Sequence, residues 1–565
     1  MKMKIKVKDL PYKRYTIEEM RAAFAAFEKA VSEAKCADDV IAARNEFMKA
    51  QTEYQTAASL SNCRYTLNTR DEFYLGEMNY YDENGPLFEE IGNKYAEVML
   101  GNKFRKEVEA KMNPLIFKGL EIAEKCYNSC IEEEKKQENA LVTEYSQLMS
   151  QIAIKWRGED KPLSYVRGFL EDSDRNVRRE ACLALGEGLD AHKAELDELF
   201  DKLVKNRDLQ AKKMGYKNFV ELGYYRMARL DYDRKMVEAF RKNVAKSLVP
   251  VVAEVKKEIA ADMGIDRITF YDDAVYTADD PRPVLGKDGI FKAAQKMYDD
   301  MRPEIGEFMR SMQEAEAFDV DARDGKWGGG YCTEFDKFKQ TFILANFNGS
   351  SGDVDVMTHE FGHAFAMNQQ FYTGDPELGV GGMETAECHS MSMEFFSWKY
   401  MELFFGENAD KYRLKHLLSS LCFIPYGVAV DEFQHVVYEK PEMTPAERLD
   451  VWKSLEKKYR PYLDIEGLPF IGEGRRWQYQ MHIYESPFYY IDYTLAQTVA
   501  LGFLIEMRKD YENALDRYVA FAKKGGTEPF SKLVAEAGLA NPFGNGTLDA
   551  IASEILKIVK ELKKE

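Results

Sequence analysis

The chain has 565 residues, 45% hydrophobic and 13% aromatic, enough apolar material for a large core and more than a disordered chain carries. Its formal net charge of -18, with no long basic cluster, excludes the cationic footprint that phosphate-backbone binding needs. No nucleic-acid partner is expected.

The opening "MKMKIKVKDL" alternates like a short strand and lacks the apolar core of a secretory signal. From "YTIEEMRAAFAAFEKAVSEAKCADDV" onward, apolar residues recur at spacings of three and four, segment after segment, which is the helical period. The fold class is therefore mainly α. Eight cysteines spread over a chain without a signal sequence point to reduced thiols in a cytoplasmic protein. Cys126 and Cys130 lie four apart on an expected helix, where core packing is the simpler reading. After "GLDAHKAELDELFDKLVKN" we place a boundary between an N-terminal helical domain, 1–195, and a C-terminal domain, 196–565, that holds the chemistry-bearing motifs.

Between Asp321 and Asp353 the helical period stops. Glycines (Gly328 to Gly330), a β-prone run from Gln340 to Phe347 and an Asn/Gly/Ser turn predict two short strands and a loop feeding a helix. That helix should run from about Val354 to Gln370, capped by Ser351 or Asp353. It carries "HEFGH" and two of the seven histidines. At about 100° per residue, His359 and His363 project roughly 40° apart, one turn along the axis, so both imidazoles can reach one ion. Glu360 flanks that face, placed to hold a metal-bound water instead of the metal. Zinc suits such a set because it accepts imidazole and carboxylate and lowers the pKa of its water toward neutrality. Glu360 would take the proton.

A third ligand is offered by "GVGGMETAECHSMSMEFFSW". Glu384, Glu387, Met391 and Glu394 share one helical stripe, whereas His389 projects about 200° from Glu387. Spacing does not separate Glu384 from Glu387, since either could bind the metal while the other holds a histidine N–H. Further on, "DIEGLPFIGEGRRWQYQ" reads as a mobile glycine-rich loop. "YTLAQTVALGFLIEM" from Tyr493 reads as a buried helix, short of the roughly 18 to 20 apolar residues of a membrane span. No membrane helix is expected.

"HEFGHAF", the "ETAECHSMSMEF" helix and "MHIYESPFYYIDYTLAQ", together with "KKMGYKNFVELGYYRMARLDYD" and "GGGYCTEFDKFKQTFILANFNG", resemble the M3 metallopeptidases of the oligoendopeptidase F and Pz-peptidase type. The resemblance implies two helical halves enclosing a deep substrate channel, with the small sheet beside the zinc helix. It implies one zinc per chain on His359, His363 and Glu387, the glutamate followed seven residues later by Glu394. Glu360 is then the general base, and His482, Tyr490 and Tyr493 face the zinc across the channel. The spacing back to the histidine also admits Tyr489 in place of Tyr490. Gly328 to Gly330 and the following strand resemble an edge that pairs with extended peptide, which explains tolerance of many side chains.

The implied activity is hydrolysis of internal bonds in short unstructured peptides. A dipeptidyl carboxypeptidase of the same fold would need a cation for the substrate carboxylate, such as Arg475 or Arg476. A non-catalytic helical peptide-binding protein is the reading from another class. Oligomeric state stays open, a monomer included.

Overall fold

The computed structural model describes residues 5–277, 280–371 and 375–564. It is 72% helix and 5% strand, so helix packing sets the architecture, as the periodicity implied. The chain divides into two compact units, each built from discontinuous segments: Met1–Tyr127 with Arg282–Ala409 and Glu506–Leu539, and Asn128–Pro281 with Asp410–Ile505 and Ala540–Glu565. The point between residues 195 and 196 lies inside the helix Lys193–Lys213.

In the first unit, the helices Ile17–Glu33, Ala37–Leu67, Glu72–Gly101 and Pro114–Cys126 bury one apolar cluster that includes Phe27, Phe47, Phe88 and Tyr95. Thr16 starts the first with a reciprocal capping box to Glu19, satisfying two otherwise orphaned N–H groups. The alternation at the N-terminus does not become a strand where it is described. Val7–Asp9 is a 3-10 turn whose Val7 N–H donates to Ala315 O at 2.8 Å, and Met1 to Lys4 lie outside the described residues.

The small sheet in this unit has three strands, not two. Gln340–Phe347 is central, with Tyr331–Phe335 antiparallel on one side and Phe318–Asp321 parallel on the other. The first six residues of the central strand are all buried, the pattern of a strand covered on both faces. The sheet packs on the helix Gly352–Gln370, where Cys332 Sγ meets Met367 Sδ at 3.7 Å. Asn346 Nδ2 donates to Trp327 O and Gly329 O at 3.0 and 2.8 Å, holding the glycine loop against the central strand.

In the second unit, Glu132–Gln151 packs on Lys193–Lys213. Buried Glu138 accepts from Arg207 at 2.6 Å and Arg226 at 3.1 Å. Removing either partner of such a buried pair strands an uncompensated charge, so the contact is costly to break. The long helix Ala409–Glu439 and the helix Tyr490–Lys509 follow. No helix among the described residues is long and apolar enough to cross a membrane.

Two further expectations change. Cys126 ends its helix and Cys130 sits in the separate 3-10 turn Ser129–Ile131, exposed, so no single helix carries the pair. The stretch Asp464 to Gln480 is anchored: Phe470 and Trp477 are buried, and Arg475 pairs with Asp197 at 2.9 Å and Glu473 at 2.8 Å.

Candidate metal centre

From Met357 to Asn368, the helix Gly352–Gln370 is buried except for His359, Glu360, His363 and Met367. Its entry is fixed by Asp353, whose carboxylate accepts from the N–H groups of Asn348 and Gly349 at 2.9 and 2.8 Å. Ser351 is the N-cap but makes no side-chain cap bond.

The helix Met383–Phe396 crosses against it at Gly362. A Cβ there would lie 2.7 Å from both His389 O and Ser390 Cα, and backbone atoms cannot yield as a flexible side chain can. Gly362→Ala is therefore expected to lower stability by about 1–3 kcal/mol, measured by urea denaturation of the metal-loaded protein.

This close crossing brings Glu387 to the two histidines. His359 Nε2 and His363 Nε2 each lie 3.5 Å from the same oxygen, Glu387 Oε2, and the imidazole rings stand at 82° with centroids 5.0 Å apart. One donor atom from each of the three falls within 4.8 Å of the others, the one such cluster among the described residues. Glu384, which spacing alone left level with Glu387, lies in the first turn of its helix and is not a member.

The contact on the far side of His359 also comes from an unexpected residue. Glu394, not Glu384, lies 2.6 Å from His359 Nδ1. A carboxylate only accepts, so the proton belongs on Nδ1 and Nε2 is left as the ligand atom. Ser390 Oγ donates to Glu387 Oε2 at 3.1 Å and to Glu387 O at 2.9 Å, orienting the carboxylate. Periodicity placed Glu394 on the right stripe, but only the crossing of the two helices reveals its partner.

Burial disfavours the His359 cation, yet Glu387 and Glu394 outweigh it and hold its pKa well above the ordinary histidine value. Glu387 is buried too, and the two histidines hold it well below the carboxylate range. The donor set is thus a pre-paired anion and imidazoles, and it fits a divalent cation that accepts nitrogen and oxygen. Glu360 is half-buried beside it, its pKa raised by burial. His389 is fully buried against Tyr518 and Phe521, outside the donor cluster, and burial with His363 nearby pushes it down to about 3.

Below its raised pKa the metal-free His359 ring is doubly protonated, and a cation must displace one of those protons. Metal affinity is therefore expected to fall as pH drops below the raised His359 pKa. Glu394→Gln, which loses the orienting carboxylate, should weaken metal binding by about 10–100-fold. Competition with a chelator at a series of pH values checks both.

In the second unit, His482, Tyr490 and Tyr493 come together. The His482 ring is 5.1 Å from Tyr490 and 5.8 Å from Tyr493, and 5.7 Å from Tyr489. Both neighbouring tyrosines thus belong to the cluster. Gln480, held by Tyr426 Oη at 2.7 Å, reaches His482 Nδ1 at 3.0 Å. Burial raises Tyr490 to about 12, against the opposing pull of Arg476 and Arg167, so its hydroxyl stays a donor at neutral pH.

Two family models match in sequence. The peptidase M3 N-terminal domain covers residues 7–127, and peptidase family M3 covers residues 169–283 and 305–553. The chain belongs to peptidase family M3. That is a metallopeptidase family, in keeping with the donor cluster. This M3 peptidase is 23% identical over 525 residues to oligopeptidase PepF of Bacillus subtilis (strain 168), covering 85% of this chain and 74% of PepF. Its structure is similar to that of Pz peptidase A with an inhibitor, at 39% identity and TM-score 0.93, and to an oligoendopeptidase F, at 40% identity and TM-score 0.94. Each comparison covers 99% of both chains. Among M3 peptidases it is oligoendopeptidase-like.

Proposed function

We propose that this M3 peptidase is a zinc-dependent oligoendopeptidase that hydrolyses internal bonds of short, unstructured peptides. The observation that carries the reading is the three-donor cluster of His359, His363 and Glu387 with Glu360 beside it. His359, His363 and Glu387 would hold one zinc ion. When bound, zinc supplies Lewis acidity, lowering the pKa of water toward neutrality and polarising a carbonyl.

The rest is done by the chain. Glu360 accepts the proton of the attacking water and delivers one to the leaving amine. Burial, by raising its pKa, makes it a stronger base and a usable acid in turn. His482, Tyr490 and Tyr493 supply N–H and O–H donors to the oxygen on which negative charge develops. Among the described residues, the strand Tyr331–Phe335 is paired on one side only. Its other edge suits backbone pairing with an extended peptide, independent of side-chain identity. Eight cysteines without a disulfide fit a reducing compartment such as the cytoplasm.

The exopeptidase alternative loses one of its two cations, because Arg475 is already paired with Asp197 and Glu473. Arg476 is stacked over Tyr479 and Tyr426 at 4.0 and 5.1 Å. An internally quenched peptide blocked at both ends decides between them. Zinc-dependent cleavage is expected, whereas cutting only of peptides with a free C-terminal carboxylate would favour the exopeptidase. Stoichiometric zinc without cleavage of either would favour a binding protein.

A further inference from the structure

The tyrosine segment is held from behind by groups that the mechanism does not use. Phe488, two residues before Tyr490, has φ of +69°, a left-handed conformation that a bulky side chain adopts only when its surroundings impose it. Three of those surroundings are specific. Gln434 Oε1 accepts from Phe488 N–H at 2.8 Å, and Arg229 Nη2 donates to Phe488 O. The ring is fully buried against His435 and Tyr438, and a Cβ at Gly223 would lie 2.6 Å from its Cδ2.

The same Arg229 nitrogen donates to Asp492 Oδ1 at 3.1 Å, and Tyr232 Oη donates to that oxygen at 2.9 Å. Asp492 is fully buried and stands between Tyr490 and Tyr493 in the first turn of their helix. One guanidinium therefore grips the chain both before and within the tyrosine pair, and Gln434 grips it from the neighbouring helix.

We propose that Arg229 and Gln434 are positioning residues for the reaction, forming a clamp that fixes the kink at Phe488 and so aims the Tyr490 and Tyr493 hydroxyls. The inference rests on the catalytic reading of those tyrosines given above. Guanidinium geometry matters here, because one nitrogen, Nη2, serves both acceptors in directions fixed by the guanidinium plane, which a freely rotating ammonium does not fix. Small displacements of donors from the developing charge are costly in rate and not in substrate affinity.

The experiment measures kcat, KM and zinc content on the blocked quenched peptide for Arg229→Lys and Gln434→Met. Both are made in wild type and in a Tyr490→Phe/Tyr493→Phe background. Arg229→Lys keeps a cation for Asp492, and Gln434→Met keeps the buried volume, so Gln434→Met carries the test should the lysine variant not fold. The expected result is a loss of about 10–100-fold in kcat, with KM and zinc unchanged, that shrinks to less than about threefold in the Phe background. An equal loss in both backgrounds, an effect confined to KM, or loss of zinc would overturn the clamp. Wild-type turnover by Tyr490→Phe/Tyr493→Phe would instead remove the tyrosines from catalysis. It is distinguishable from failure of the clamp alone, in which that variant is slow and Gln434→Met is not.

Discussion

Glu360→Gln is expected to bind zinc as wild type does and to lose roughly 10²–10⁴-fold in kcat. Glu360 is absent from the three-donor cluster, and glutamine keeps its shape, so metal content should not move. What glutamine lacks is a basic oxygen. The direction of the pH dependence follows from the same carboxylate. Only the ionised form accepts a proton, and burial raises the pKa of Glu360, so activity should fall as pH drops through a value above that of an exposed glutamate. The acidic limb of kcat/KM, measured on the fully metal-loaded enzyme, should disappear in Glu360→Gln if this carboxylate is its source. Substantial residual turnover with that limb intact would assign the base to another group.

The readable parts of this chain are those whose cause is local. Helical period and the β-prone run Gln340 to Phe347 are properties of neighbouring residues, and that strand occupies the residues predicted for it. The two histidines of HEFGH share a helix face by spacing alone. The strand Phe318–Asp321 has no such signal: it is four residues long, and its parallel partner lies more than twenty residues away in sequence. The N-terminal alternation misled because Val7 bonds to Ala315 instead of to a strand partner.

Within the site, spacing could not choose the residue that orients His359. That choice depends on how two helices cross, which Gly362 permits by presenting no Cβ to His389 O. Arg229 was in plain view inside "GYYRMARLDYD", but its meaning lies in Asp492, 263 residues away. Residues that bind chemistry tend to sit in short motifs. Residues that aim them act through tertiary contacts, and those leave little trace in sequence spacing.

Glu387→Ala should abolish both stoichiometric zinc and cleavage, the largest effect expected from any single substitution here. Both histidine Nε2 atoms converge on one Glu387 oxygen, so the alanine removes the only carboxylate in the cluster and leaves two imidazole donors. It also removes a pull that raises His359, but easier deprotonation cannot replace a lost ligand. Glu384→Ala is the informative control. Glu384 shares the stripe and is buried, yet stands outside the cluster, so that variant should retain zinc within a few-fold and retain cleavage with it. Measured side by side by metal analysis and quenched-peptide hydrolysis, the two glutamates separate cleanly. Zinc loss in Glu384→Ala with zinc kept in Glu387→Ala would move the third ligand one turn toward the helix N-terminus. Zinc kept by Glu387→Ala but without cleavage would mean that two histidines suffice to hold the ion and that the carboxylate instead sets its reactivity.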